Sequence, residues 1–223
     1  MNMQNHLIST AVFDFDGTLI DSAPGILAGF AAALQAAELT PCVPLSDSLI
    51  GPPLNETLMR LSGSEDVELI AYLTEQFKQY YDSTGVVTTP AYPYVEAMLE
   101  QLLTAGVELH IATNKRLAVT HAILDHLGWR DYFVSVYALD MVAPRLANKP
   151  ALLAKQIAEQ GLDITNTIYI GDKYEDGEAA TANQLGFYYA AWGYGGLQRA
   201  QMETDWNWLD CPSAFPSVMV SQR

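Results

Sequence analysis

Positive charge is what this 223-residue chain has least of. It holds 11 lysines and arginines against 26 aspartates and glutamates, for a formal charge of −15 and a pI near 4.4. No lysine or arginine precedes Arg60, and seven of the eleven lie between Lys115 and Lys173. That balance makes nucleic acid and anionic membranes poor partners. If a substrate is an anion, the second half of the chain and a bound metal must supply nearly all the positive charge. Long hydrophobic runs are missing too: no window approaches the roughly 20 apolar residues of a membrane span. The first residues show no basic stretch leading into an apolar one, so no secretory leader is expected. The only two cysteines, Cys42 and Cys211, stand far apart without metal-ligand spacing, and reduced thiols in a cytoplasmic protein are the expectation. Repeats and low-complexity tracts are absent.

What is present is a core-forming composition, half hydrophobic. Residues 7–13 read as a buried strand that runs into Asp14, Asp16 and a turn at Gly17-Thr18. Residues 23–39 have helical spacing, with Ser22 as a fitting N-cap and Pro24 in the first turn. Helical stretches follow at 55–61, after the stiff Gly51-Pro52-Pro53 turn, and at 64–81, with Val67, Ile70, Leu73, Phe77 and Tyr80 on one face. No strand pattern is found between Leu19 and about Val86. The texture then changes. Helices are expected at 93–103, 117–127, 150–160 and 175–185, stopped by Gly106, Gly128, Gly161 and Gly186. Strands are expected at 107–112, 132–137, 167–170 and 187–192. Alternating strand and helix, with strands apolar throughout, fits a parallel sheet covered on both faces. The expected fold is therefore a doubly wound, Rossmann-like α/β core of residues 1–19 and 88–223, interrupted by an all-helical insert of residues 20–87.

In such a sheet, chemistry gathers outside the carboxyl ends of the strands. Asp14 and Asp16 end the first strand, where two carboxylates could bind a cation, divide into nucleophile and acid/base, or form an ordinary acidic turn. The second strand ends at Thr113-Asn114-Lys115. The loop after the third leads to Asn148-Lys149-Pro150. The fourth ends at Gly171-Asp172-Lys173-Tyr174-Glu175-Asp176.

In these four stretches the chain resembles the haloacid dehalogenase-like phosphatases over nearly its full length. Asp14 to Thr18 matches the family's Asp-x-Asp-Gly-Thr, Thr113 its second motif, and Lys149-Pro150 its third. Gly171, Asp172 and Asp176 match its fourth. The resemblance implies that Asp14 attacks phosphorus and that Asp16 moves the proton of the leaving group. It also implies that Thr113 and Lys149 stabilise the transferring group. Mg²⁺ would be held by the Asp14 carboxylate, the Asp16 carbonyl and Asp172, with Asp176 as a direct or outer ligand. Asp16 separates this chain from relatives that attack carbon, which lack that carboxylate, and from phosphorylating ATPases, which carry Thr there.

The helical insert resembles the family's small cap domain, in which substrate choice is expected. Gly51 in its stiff loop and Arg60 are candidate substrate-binding residues there, as are Asn114 and Lys115 in the core, a pair that resembles the phosphoglycolate phosphatase branch. The implied activity is hydrolysis of a small phosphorylated metabolite, phosphoglycolate-like by preference, in a cytoplasmic monomer or homodimer. A phosphomutase on the same scaffold and a receiver-like domain phosphorylated on Asp14 are the alternatives. Asp21 is expected to cap locally, and Glu175 and Glu178 to be solvated or outer-shell. Residues 192–196, Trp-Gly-Tyr-Gly-Gly, resemble a structural loop of the same branch. Three departures stand out: Tyr94 where relatives have Gly, Lys173 where they have Thr or Ser, and an apolar loop at 138–147 that is either a dimer patch or core packing.

Overall fold

The computed structural model describes residues 8–215. Among them, six strands form one sheet with every neighbouring pair parallel. They are β1 (Thr10–Phe13), β2 (Glu108–Thr113), β3 (Ser135–Ala138), β4 (Thr167–Gly171), β5 (Gly186–Ala190) and β6 (Trp206–Leu209). Their order is β3-β2-β1-β4-β5-β6. The chain steps outward from β1 to β3, then returns to lie on the other side of β1, so the order reverses between β1 and β4. That switch point is where doubly wound sheets bind ligands.

The chain divides into two compact units, one formed up to Asp21 and again from Ala91 onward, the other by Ser22–Pro90. In the first unit the sheet is flanked by helices α5 (Val95–Thr104), α6 (Leu117–Leu127), α7 (Lys149–Gln160) and α8 (Tyr174–Ala182). Strand side chains alternate between faces. Val12, Ala112, Tyr169 and Phe187 share a buried cluster with Leu152 and Leu153 of α7 and Ala179 and Ala180 of α8. Ala11, Phe13, Ile168 and Ile170, the alternate positions, are buried as well. Each large side chain so covered contributes about 1.5–3 kcal/mol.

Several boundaries differ from the sequence reading. The first strand begins at Thr10, and residue 7 lies outside the described residues. β3 begins only at Ser135, because Arg130–Tyr132 wind into a 3-10 turn after α6. β6 was not expected at all. It is four residues long, and its Trp206 ring packs 5.0 Å from both Tyr174 and Phe187. The apolar loop at 138–147 is core packing only in part: Leu139 is buried in the α7–α8 cluster and Met141 and Leu146 pack against it, while Val142 is exposed.

The second unit is helical throughout: α1 (Ala23–Ala36), a 3-10 turn Asp47–Leu49, α2 (Leu54–Ser62), α3 (Val67–Tyr80), a π turn Tyr81–Gly85 and α4 (Val86–Thr88). Phe30 of α1 meets Phe77 of α3 with ring centroids 4.9 Å apart, at a place where a methyl on Gly29 would crowd the Phe77 ring. Two expectations fail here. Ser22 does stand at the N-cap of α1, but its side chain makes no cap bond, and its buried hydroxyl has no partner among the described residues. Val67 is 78% exposed because it opens α3 directly after the true cap, Asp66, which accepts the Glu68 N–H.

Candidate active site

β1 gives out at Phe13, and the next residue continues the ladder through its backbone alone, Asp14 N–H donating to the Ile170 carbonyl at 2.8 Å. Its carboxylate is therefore delivered to the switch point between β1 and β4. The turn that follows requires glycine at 17 on two counts: φ is +85°, and any Cβ would run into the Asp172 carboxylate. Thr18 N–H and Leu19 N–H both return to the Phe15 carbonyl and close the turn.

Around Asp14 the structure gathers a buried cluster. One oxygen from each of Asp14, Asp172 and Asp176 lies within 4.8 Å of the others. Lys149, the first residue of α7, places its ammonium 3.0 Å from Asp14 Oδ1 and 2.5 Å from Asp176 Oδ1. Asn148 caps that helix by accepting the Ala151 N–H at 3.0 Å, which fixes where Lys149 starts. Asp176 has little capacity left: Oδ1 accepts from Lys149 and, at 3.3 Å, from Tyr169, while Oδ2 accepts the Lys173 N–H at 3.0 Å. Asp172 differs. Its Oδ2 accepts the Tyr194 N–H at 2.8 Å, and its Oδ1 is buried with no partner among the described residues.

The electrostatics follow from that burial. Desolvation pushes the Asp14 carboxyl up to about 6, with Lys149 pulling it down and Asp176 adding to the rise. Desolvation, then repulsion from Asp176 and Asp14, pushes Asp172 up to about 8. Burial would lower Lys149, but Asp14 and Asp176 outweigh it and raise it well above its usual value. Among the described residues, the three buried carboxylates, one oxygen orphaned, meet a single buried ammonium and hold more negative charge than it neutralises. The donor set fits a hard divalent cation, for which oxygen ligands of this kind are suited.

Asp16 stands apart from this cluster. Its carboxylate receives the Lys115 ammonium at 2.8 Å. Thr113 ends β2, and its hydroxyl oxygen accepts the Lys115 N–H at 3.1 Å, which leaves the hydroxyl proton for another acceptor. Asn114 is exposed beside it, as are Glu175 and Glu178 on α8. Gly51, with φ +117°, and Arg60, in the last turn of α2, belong to the helical unit. Asp21 does not cap α1; its Oδ1 accepts the Tyr194 hydroxyl at 3.0 Å instead.

Two residues at the cluster escaped sequence reasoning. Tyr169 is fully buried and divides its hydroxyl proton between the Ala112 carbonyl (3.1 Å) and Asp176. Inside the run Ile168-Tyr169-Ile170 it reads as core, and nothing in its spacing marks it as a partner of Asp176. Tyr194 lies in the 192–196 stretch that was expected to be structural, and its link to Asp172 runs through a backbone amide, which residue identity does not mark.

The sequence model of the haloacid dehalogenase-like hydrolases matches residues 11–190. A phosphoglycolate phosphatase of Neisseria meningitidis is 30% identical over 234 residues, covering 100% of this chain and 99% of the relative. The tyrosine-protein kinase PtkA of Mycobacterium tuberculosis is 31% identical over 187 residues, covering 82% of this chain but 62% of the relative, so the chain spans under two thirds of that protein's length. Among solved structures, a predicted phosphatase from Clostridium acetobutylicum superposes with a TM-score of 0.83 at 24% identity, covering 96% of this chain and 99% of the other; that likeness speaks for the fold.

Proposed function

This chain belongs to the haloacid dehalogenase-like hydrolases, and from that premise we propose that it is a Mg²⁺-dependent phosphatase of a small phosphorylated metabolite. The observation that carries the reading is the buried Asp14 carboxylate, 3.0 Å from the Lys149 ammonium and grouped with Asp172 and Asp176 at the switch point. Asp14 attacks phosphorus, and as the new Asp14–phosphorus bond forms, the ester P–O bond breaks. Asp16 gives its proton to the departing oxygen, then takes one from the water that opens the aspartyl-phosphate, which restores both residues. Thr113 donates its hydroxyl proton to a phosphoryl oxygen, and Lys149 neutralises charge on Asp14 and the transferring group. Asp14, the Asp16 carbonyl and Asp172 would hold the cation, and Asp176, with both oxygens occupied, supports it through Lys149. When bound, the metal supplies positive charge to phosphoryl oxygens.

A phosphoglycolate-like substrate is favoured by the kinship with phosphoglycolate phosphatases. We assign the helical unit the role of a cap, with Gly51 and Arg60 as its substrate-binding residues and Asn114 and Lys115 as those of the core. The test is hydrolysis of an aryl phosphate with and without Mg²⁺, followed by a panel of phosphorylated metabolites. Activity that needs Mg²⁺ and vanishes in folded Asp14→Asn is expected. Full activity in that variant, or independence of metal, contradicts the reading. A requirement for a bisphosphate activator would point instead to the phosphomutase.

A further inference from the structure

Residues 192–196 belong to none of the four motifs, yet they are bonded to two of them. The Tyr194 N–H occupies Oδ2 of Asp172 at 2.8 Å, while Oδ1 of the same buried carboxylate has no partner among the described residues. A carboxylate pinned by one oxygen offers the other in a fixed direction, which is how outer-shell groups set metal affinity. The same segment grips the turn that carries Asp16. Trp192 Nε1 donates to the Thr18 carbonyl at 2.9 Å, and the Tyr194 hydroxyl donates to Asp21 at 3.0 Å. On the far side, the Leu197 N–H donates to the Tyr189 hydroxyl at 3.0 Å and ties the segment back to β5.

The glycines show that this approach is built in. A methyl at position 193 would collide with the Gly17 carbonyl oxygen and the Asp172 Cβ, and one at 195 with the Asp172 carbonyl oxygen. Neither glycine has a left-handed φ. Their role is therefore room for close backbone contact, not conformational freedom.

We propose that residues 192–196 are a fifth element of the site and that Tyr194 is a positioning residue for the metal, its amide holding Asp172 so that Oδ1 faces the cation. The inference rests on the metal-dependent reading above and extends it: divalent-metal affinity is set in part by a segment that contributes no ligand atom. Trp192 and the Tyr194 phenol fasten that segment to the turn between Asp16 and Asp21, so loosening the fastenings loosens the metal.

The experiment is a calorimetric titration of Mg²⁺ into the metal-free full chain, for the unmodified protein, Gly193→Ala and the double variant Trp192→Phe/Tyr194→Phe. The melting temperature of each metal-free protein is measured alongside. Gly193→Ala is expected to weaken Mg²⁺ about tenfold or more, and the double variant about threefold. KM for an aryl phosphate at saturating Mg²⁺ should stay within about twofold, since no substrate contact is touched. Should Gly193→Ala fail to fold, the double variant decides alone. A lowered melting temperature with unchanged Mg²⁺ affinity reveals a merely structural loop and overturns the inference. Absence of Mg²⁺ binding by the unmodified protein overturns the metal reading itself, whereas equal binding by all three proteins overturns only the role of the loop.

Discussion

The Lys115 ammonium lies 2.8 Å from Oδ1 of Asp16, joining the loops that leave two adjacent strands, β1 and β2. The Lys115 side chain is 7% exposed and that of Asp16 is 20% exposed, so the pair is largely shielded from water. The contact holds the Asp16 carboxylate in one place, and the acid/base role proposed for Asp16 depends on such placement. Lys115→Met should lower kcat for an aryl phosphate by about tenfold or more, within the range that acid/base groups contribute, with the fold intact by circular dichroism. A kcat within twofold of the unmodified protein would show that the pair has no part in turnover.

Tyr169 supplies a single proton to two acceptors in a dry region, the Ala112 carbonyl and Asp176 Oδ1. Tyr169→Phe keeps the ring and removes the donor. Urea unfolding should show a loss of about 1–2 kcal/mol, the usual cost of leaving buried acceptors short of a partner. Equal stability of the two proteins would mean that the hydroxyl contributes nothing to the site.

The raised carboxyls of Asp14 and Asp172 give the metal-free protein a defined pH response. A carboxyl whose folded value lies above its unfolded value stabilises most at low pH, and that contribution is lost as pH rises. The window here opens near 4, the ordinary aspartate value, and closes at about 6 for Asp14 and about 8 for Asp172. The metal-free melting temperature should fall between pH 5 and pH 8 through these two groups. Mg²⁺ should raise it more at pH 8 than at pH 5, because cation and protons compete for the same oxygens. A Mg²⁺ effect equal at both values would contradict the assignment of these carboxylates to the metal.

Much of this site was legible because its residues stand at strand ends, and strand ends are marked by where apolar runs stop. Asp14, Thr113 and Asp172 were singled out in that way, and Lys149 by the Lys149-Pro150 pair that opens α7. Tyr94 was legible only as a departure: it takes φ +68° at the entry to α5, a left-handed position that costs a side chain about 1–2 kcal/mol. That strain is why glycine suits the position. What escaped falls into two physical kinds. β6 and the 3-10 turn at Arg130–Tyr132 are short, and tertiary packing rather than local propensity settles them. The contacts of Tyr194 and Tyr169 are long-range, one through a backbone amide and the other through a hydroxyl hidden in an apolar run.

In the proposed mechanism Asp14 becomes covalently bonded to phosphorus during turnover. Borohydride reduction of protein quenched while hydrolysing an aryl phosphate converts an aspartyl-phosphate to homoserine, and peptide mass spectrometry locates the change. Homoserine is expected at position 14, dependent on both substrate and Mg²⁺. Continued turnover with aspartate unmodified at 14, or homoserine at another position, would contradict it.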